Sequence, residues 1–364
     1  MKTAGVDSIP NLLPHGRFCP ESARGAGVLP LFWAGSGVEL CFTGEELHLV
    51  LEADFQRLEP WIAVEVNGAP WIRMPMARGI NDVCVLRGMT AGGVKRVRLF
   101  KETQPMDSDS AHRLFMRSVC WQGGEFLPPP RRSRRLEFVG DSLTSGEGVL
   151  GAREETDWIP ALFSASRTWA RLTADALDAD WRTVSQSGWG IRSGWDNDPR
   201  HALPAWYERV CGPAMGDGNA AMGSQRPNDF SSWQPDAVIV NLGTNDAGAM
   251  GNPPWIAPDG ARFRQEPTAK GMALAEDAAL AFLRQLRRCN PRARLVWAYG
   301  MLGDALRPAL EGAVERFRRE DPWVYYLPLT GATGETMGSR QHPGPLCHQA
   351  AAERTAELLR KILP

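Results

Sequence analysis

At 364 residues the chain is long for one compact domain and long enough for two. A hydrophobic fraction of 43% with 23% charged residues excludes the low-hydrophobicity, high-charge class of disordered chains. A formal net charge of -1 gives no electrostatic footprint for nucleic acid or an anionic membrane surface, and no run is apolar enough to span a bilayer.

The first ten residues, Met1 to Pro10, lack the continuous apolar segment of a secretory signal, and the seven cysteines are scattered without a CxxC pair. The expectation is a cytoplasmic protein with reduced thiols, or an extracellular or periplasmic one if a leader has been removed. Neither a disulfide framework nor a metal site is expected. Residues 25–127 then read as β structure. Val38–Phe42 and Leu47–Glu52 alternate apolar and polar residues. Ile62–Val66 runs into Asn67-Gly68, a hairpin turn signal, and Val94–Phe100 alternates again. Short strands at this spacing predict a small β-sandwich. Pro128-Pro129-Pro130-Arg131-Arg132-Ser133-Arg134-Arg135 is a stiff, solvated connector, which sets expected domains of 1–130 and 131–364.

Beyond the connector the period changes. The strand-like Leu136–Val139 precedes a helix over Arg167–Leu177, and Ala237–Leu242 is a continuous apolar strand. Ala273–Arg288 is an amphipathic helix closed by Asn290-Pro291, followed by strands at Arg294–Tyr299 and Trp323–Leu327 and a terminal helix over Gln349–Ile362. Apolar strands alternating with helices predict a parallel sheet covered on both faces, the α/β class, with ligands at the carboxyl ends of the strands.

Four short blocks follow those strands or precede the last helix. Gly140-Asp141-Ser142-Leu143 offers a nucleophile at a strand-to-loop transition. Ser185-Gln186-Ser187-Gly188-Trp189-Gly190 offers a glycine amide able to face a ligand. Gly243-Thr244-Asn245-Asp246 offers the Asn245 amide, and His342-Pro343 an imidazole as general base. Each block alone is an ordinary turn or cap; their joint order supplies what ester hydrolysis needs, a nucleophile, a proton acceptor and donors for an oxyanion. Asp141 and Asp246 are read as turn-capping or hydrogen-bonding residues, not as acid or base. The fourteen tryptophans against four tyrosines, many in Gly- and Pro-rich stretches, favour an aromatic-lined cleft. Trp189 and Trp195 beside the second block are the candidate substrate-binding rings. The irregular stretches 151–166 and 192–233 are expected to form rims or lids.

These blocks resemble those of the SGNH hydrolases, or GDSL esterases/lipases, over about residues 134–364. The resemblance implies Ser142 as nucleophile, His342 as base, and an oxyanion hole from the Ser142 amide, Gly188 and Asn245. His348 follows in the family's HPxxxxH-like spacing, but it opens the terminal helix and is read as capping or packing there. The segments Leu31–Glu39, Phe42-Thr43-Gly44 and Leu99–Thr103, and the two-domain order, resemble carbohydrate esterase family 2. That implies an N-terminal jelly-roll followed by a flavodoxin-like three-layer α/β/α domain. It also implies a serine esterase that removes O-acetyl groups from xylan or related carbohydrates, with no cofactor or metal. The partner expected is an acetylated carbohydrate, with no nucleic acid or membrane; oligomeric state is not set by the sequence. Other readings are an esterase or lipase for small acyl esters, a sugar O-acetyltransferase, and a carbohydrate-binding protein without turnover.

Many SGNH enzymes place an aspartate two or three residues before the histidine, where this chain has Arg340 and Ser339. The expectation is a Ser142–His342 dyad, with a backbone carbonyl or a distant carboxylate orienting the imidazole.

Overall fold

The computed structural model describes residues 1–364, which divide into two compact units. The first comprises Met1–Arg131 together with Ile159–Ser166 and Arg209–Asn228. The second comprises Arg132–Trp158, Arg167–Glu208 and Asp229–Pro364.

The first unit is an antiparallel sandwich. One sheet runs in the order Lys2–Gly5, Arg113–Gln122, Glu46–Asp54, Gly79–Leu86; the other runs Phe126–Leu127, Gly37–Phe42, Lys95–Lys101, Trp61–Val66, Ala69–Pro75. Strand alternation builds its core: Leu47, Leu49 and Leu51 are fully buried on one face of their strand, packed with Leu40, Val64 and Leu99. Asn67 and Gly68 both take positive φ, 54° and 83°, which a two-residue hairpin needs to match the twist of its strands. The strands Gly79–Leu86 and Arg113–Gln122 were not marked by the sequence pattern.

The two later segments complete this unit. Trp33 Nε1 donates to the Val210 carbonyl at 2.7 Å, and Asn219 Nδ2 to the His112 carbonyl at 3.0 Å. The fully buried Glu102 carboxyl accepts from the amide and hydroxyl of Ser166. Lys101, 1% exposed, donates to the Phe32 carbonyl, and burial pulls its ammonium down to about 7.

The second unit holds a five-stranded parallel sheet. Its strands are β1 (Arg134–Gly140), β2 (Ala179–Ser185), β3 (Ala237–Asn241), β4 (Arg294–Tyr299) and β5 (Val324–Pro328), in spatial order β2-β1-β3-β4-β5. β1 starts at Arg134, so the last arginines of the expected connector belong to the sheet. β3 is buried throughout, as a strand covered on both faces must be. The helices Trp169–Ala176 and Pro345–Ile362 pack as one pair, and Ala269–Cys289 and Arg307–Arg318 as another. Each of the four is amphipathic, which is why they form covering layers. The sequence pattern marked neither β2, which is half polar, nor Arg307–Arg318.

Candidate active site

β1, β2 and β3 lie side by side, with Gly140 opposite both Ser185 and Asn241 at their carboxyl ends. Ser142 comes two residues after β1, Gly188 three after β2 and Asn245 four after β3, so the three blocks emerge from one edge of the sheet. Gly140 has no room for a side chain, because a Cβ there would lie 2.1 Å from Thr144 Oγ1. That tight turn drops Ser142 into the short helix Ser142–Ser145, capped by Asp141, whose Oδ1 accepts from the Leu143 amide at 3.1 Å. Ser145 Oγ donates to Ser185 Oγ at 2.9 Å and ties this turn to β2.

The Gly188 loop is fixed from beneath. Asp246, fully buried, accepts from the Ile191 amide at 2.7 Å, the Arg192 amide at 2.9 Å and Gln265 Nε2 at 2.9 Å. Burial raises its carboxyl above the usual range while those donors oppose the shift. Asn245 Nδ2 donates to the Trp189 carbonyl at 2.9 Å, a bond that uses one of its two hydrogens and sets the plane of the amide. Gly188 has φ +79° and its carbonyl accepts from the Trp195 amide.

His342 reaches the site from the other end of the chain. Its Nε2 lies 2.9 Å from Ser142 Oγ and its Nδ1 2.9 Å from the Arg340 carbonyl. The carbonyl can only accept, so it fixes the proton on Nδ1 and leaves Nε2 as an acceptor facing the Ser142 hydroxyl. Of the two expectations for what orients the imidazole, the backbone carbonyl is the one found. Ser142 is 5% exposed, so the pair is sheltered yet reachable. Asp141 is also fully buried; burial raises its carboxyl to about 7, against the pull of the Leu143 amide and helped by the charges of Asp246 and Glu147. Neither aspartate touches the reacting pair, in line with their capping and bracing roles. His348 is buried as well, its Nδ1 accepting from the Trp169 amide at 3.0 Å, so it caps the helix Trp169–Ala176.

The two tryptophans part company. Trp195 is 56% exposed and its indole edge lies 3.1 Å from where a Gly188 Cβ would stand. Trp189 is 3% exposed and stacks on His201 at 5.2 Å, with Trp206 on its flank, so it offers no ring face to a ligand. Its contribution to the site is the carbonyl that orients Asn245, and packing rather than binding explains its place. Sequence reasoning missed Gln265, Glu147 and the Arg340 side chain. Glu147 sits five residues after Ser142, close enough to have been considered; Gln265 carries no such signal.

Two groups elsewhere bring metal-type donors within 4.8 Å of one another, Glu46/His48/Cys84 and Asp196/Asp198/His201. Protein partners already engage both: His48 lies between Glu46 and Asp82, and the Arg200 guanidinium grips both oxygens of Asp198. A cavity of about 430 Å³ beside Arg135, Asp236, Arg294 and Trp323 lies at the amino ends of the strands, away from Ser142.

Residues 138–345 match the model of the GDSL-like Lipase/Acylhydrolase family. The chain is 40% identical to an acetyl xylan esterase, Est2A, from the rumen bacterium Butyrivibrio proteoclasticus, with a TM-score of 0.95 and 99% of each chain covered. It is 27% identical over 364 residues to the cellulase/esterase CelE of Acetivibrio thermocellus, covering 97% of this chain and 40% of that protein. It is 28% identical over 257 residues to an acetylxylan esterase / glucomannan deacetylase of Cellvibrio japonicus, covering 68% of this chain and 63% of the other. The chain thus spans about 40 to 63% of the length of these curated relatives.

Proposed function

Because the chain belongs to the GDSL-like lipase/acylhydrolase family, we propose that it is a serine esterase removing O-acetyl groups from a carbohydrate. The observation that carries the reading is the Ser142 Oγ–His342 Nε2 contact at 2.9 Å, with the imidazole tautomer set by the Arg340 carbonyl. The carbohydrate acetyl ester as substrate class is supported by the likeness to Est2A, CelE and the Cellvibrio esterase.

In the first half-reaction Ser142 Oγ attacks the acetyl carbonyl carbon while its proton passes to His342 Nε2. The carbonyl oxygen becomes the oxyanion, met by the Ser142 and Gly188 amides and the second hydrogen of Asn245 Nδ2. Collapse breaks the bond to the sugar oxygen, which takes the proton from Nε2 and leaves as a hydroxyl. Water then attacks the acetyl-serine with His342 again as base, and acetate leaves as Ser142 recovers its proton. The Arg340 carbonyl stays bonded to Nδ1–H throughout and carries no proton itself. Trp195 supplies an exposed indole beside Gly188, suited to the C–H face of a sugar ring.

The test is acetate release from acetylated xylo-oligosaccharide beside p-nitrophenyl acetate and p-nitrophenyl octanoate, with wild type and Ser142→Ala. Acetate from the sugar that disappears in the variant is the expected result. Octanoate turnover without sugar deacetylation would move the activity to lipid-like esters, and sugar binding without any turnover would make the protein a binding module.

A further inference from the structure

The carbonyl that orients His342 is aimed by an unusual backbone. Arg340 and Gln341 both lie in the left-handed region, at φ 54° and 55°, and neither is glycine. A side chain in that region crowds its own backbone, so surrounding bonds must hold the turn. The Arg340 amide donates to the Glu155 carbonyl at 2.7 Å, and its Nη1 donates to the Thr156 carbonyl at 2.7 Å. Its Nε donates to Glu147 Oε1 at 2.9 Å. Glu147 is 3% exposed; its own amide donates to the Ser142 carbonyl at 3.0 Å, and its Oε1 lies 3.8 Å from His342 Nε2. One carboxylate thus joins the nucleophile's turn to the histidine's turn through the guanidinium.

We infer that Arg340 and Glu147 form an ionic clamp that positions His342 and sets the charge around its ring, doing through the backbone what a triad carboxylate does directly. Arg340 is a positioning residue: its guanidinium holds the left-handed turn whose carbonyl fixes Nδ1–H. Glu147 faces the imidazolium formed during attack, and Arg340 shares the same carboxylate oxygen and offsets its charge. The other titratable groups around the ring are His348, which burial drives down to about 3 and keeps neutral, and the buried Asp141. His348 stays neutral when the clamp is cut, whereas losing the Glu147 charge eases ionisation of Asp141 and blunts the shift expected of Glu147→Gln.

The inference rests on the esterase reading, and its test separates the two. The pH profile of kcat/KM for p-nitrophenyl acetate is compared among wild type, Arg340→Gln, Glu147→Gln, the double variant and Ser142→Ala, with thermal unfolding to check each fold. In Arg340→Gln the carboxylate is left alone beside the ring, imidazolium is favoured, and the acid limb moves to higher pH. In Glu147→Gln the guanidinium is left alone and the limb moves to lower pH. Both singles are expected to lose about 10- to 100-fold in kcat with KM within about twofold, and the double variant returns the limb toward wild type without restoring the rate. Limbs that stay put, or move in the same direction in both singles, overturn the clamp, because a merely structural role does not predict opposite shifts. If the Gln variants do not fold, Arg340→Lys and Glu147→Asp replace them. These keep the charges and lose the geometry, so kcat falls several-fold with the limb in place; a wild-type kcat overturns the clamp. A fully active Ser142→Ala removes the esterase reading itself, whereas an inactive one beside wild-type clamp variants removes only the clamp.

Discussion

His48 in the sandwich and His342 in the parallel-sheet unit each have both ring nitrogens engaged, and the difference lies in what engages them. His48 sits between two carboxylates, Asp82 at Nδ1 and Glu46 at Nε2, at 2.8 and 2.9 Å. Burial works against its charge, but the Glu46 and Asp82 bonds outweigh it and hold the imidazolium above its usual range. His342 has each ring nitrogen 2.9 Å from its partner, a carbonyl and a hydroxyl, neither charged. The first ring is a strut between two carboxylates; the second is held in shape with Nε2 facing a hydroxyl. A carbonyl at Nδ1 fixes the tautomer and brings no formal charge of its own to the ring.

The largest expected effect separates the two rings by function. Ser142→Ala and His342→Ala should each lower kcat on p-nitrophenyl acetate by about 10³-fold or more, whereas His48→Gln leaves it within about twofold. A His48 variant as impaired as the His342 one would break the contrast. Next comes the oxyanion donor: Asn245→Ala should cost about 10²- to 10³-fold in kcat with little change in KM, read by steady-state kinetics.

Two further predictions concern stability against pH. Asp141→Asn keeps the cap oxygen for the Leu143 amide and removes the buried ionisable group. The folded value of Asp141 is raised to about 7, so the native state binds its proton more tightly than the unfolded chain. The stability of wild type relative to the Asn variant is therefore highest at low pH and falls as pH rises from about 4 to 7, by roughly 1–4 kcal/mol. Denaturant unfolding of both proteins at pH 4.5 and 8 (roughly the ends of that window) checks the sign. The smallest effect belongs to the strut. The His48 value is raised on folding, so its contribution is complete below about 6.5 and fades as pH climbs through the folded value. Replacing it with Gln should lower Tm by roughly 1–3 °C in acid and less in mild alkali, followed by calorimetry.

The sheet and the Ser142–His342 contact were legible because each left a local mark. β3 is a continuous apolar run, Asn67-Gly68 announces its hairpin, and Ser142 and His342 sit in blocks with few alternative uses. β2 was missed because Asp180, Arg182 and Thr183 interrupt its apolar residues, although its neighbour β1 supplies the pairing that makes it a strand. Trp189 was misjudged because burial of an indole depends on which residues arrive from elsewhere, here His201 and Trp206. The partner of His342 Nδ1 was beyond side-chain patterns altogether. A carbonyl is present at every residue, and only the φ of Arg340 and Gln341 says where this one points.

The interruption of the sandwich by residues far along the chain bears on how the protein is made. Trp33, Glu102 and His112 find their partners at Val210, Ser166 and Asn219. A ribosome that has finished residue 131 has therefore not finished the first unit, whose last segment ends at Asn228, after β1 and β2 have emerged. Until then those polar groups lack their native partners, although β1 is already synthesised. Maturation is thereby tied to the arrival of the middle of the chain, and a break or pause in translation before residue 228 would leave neither unit whole.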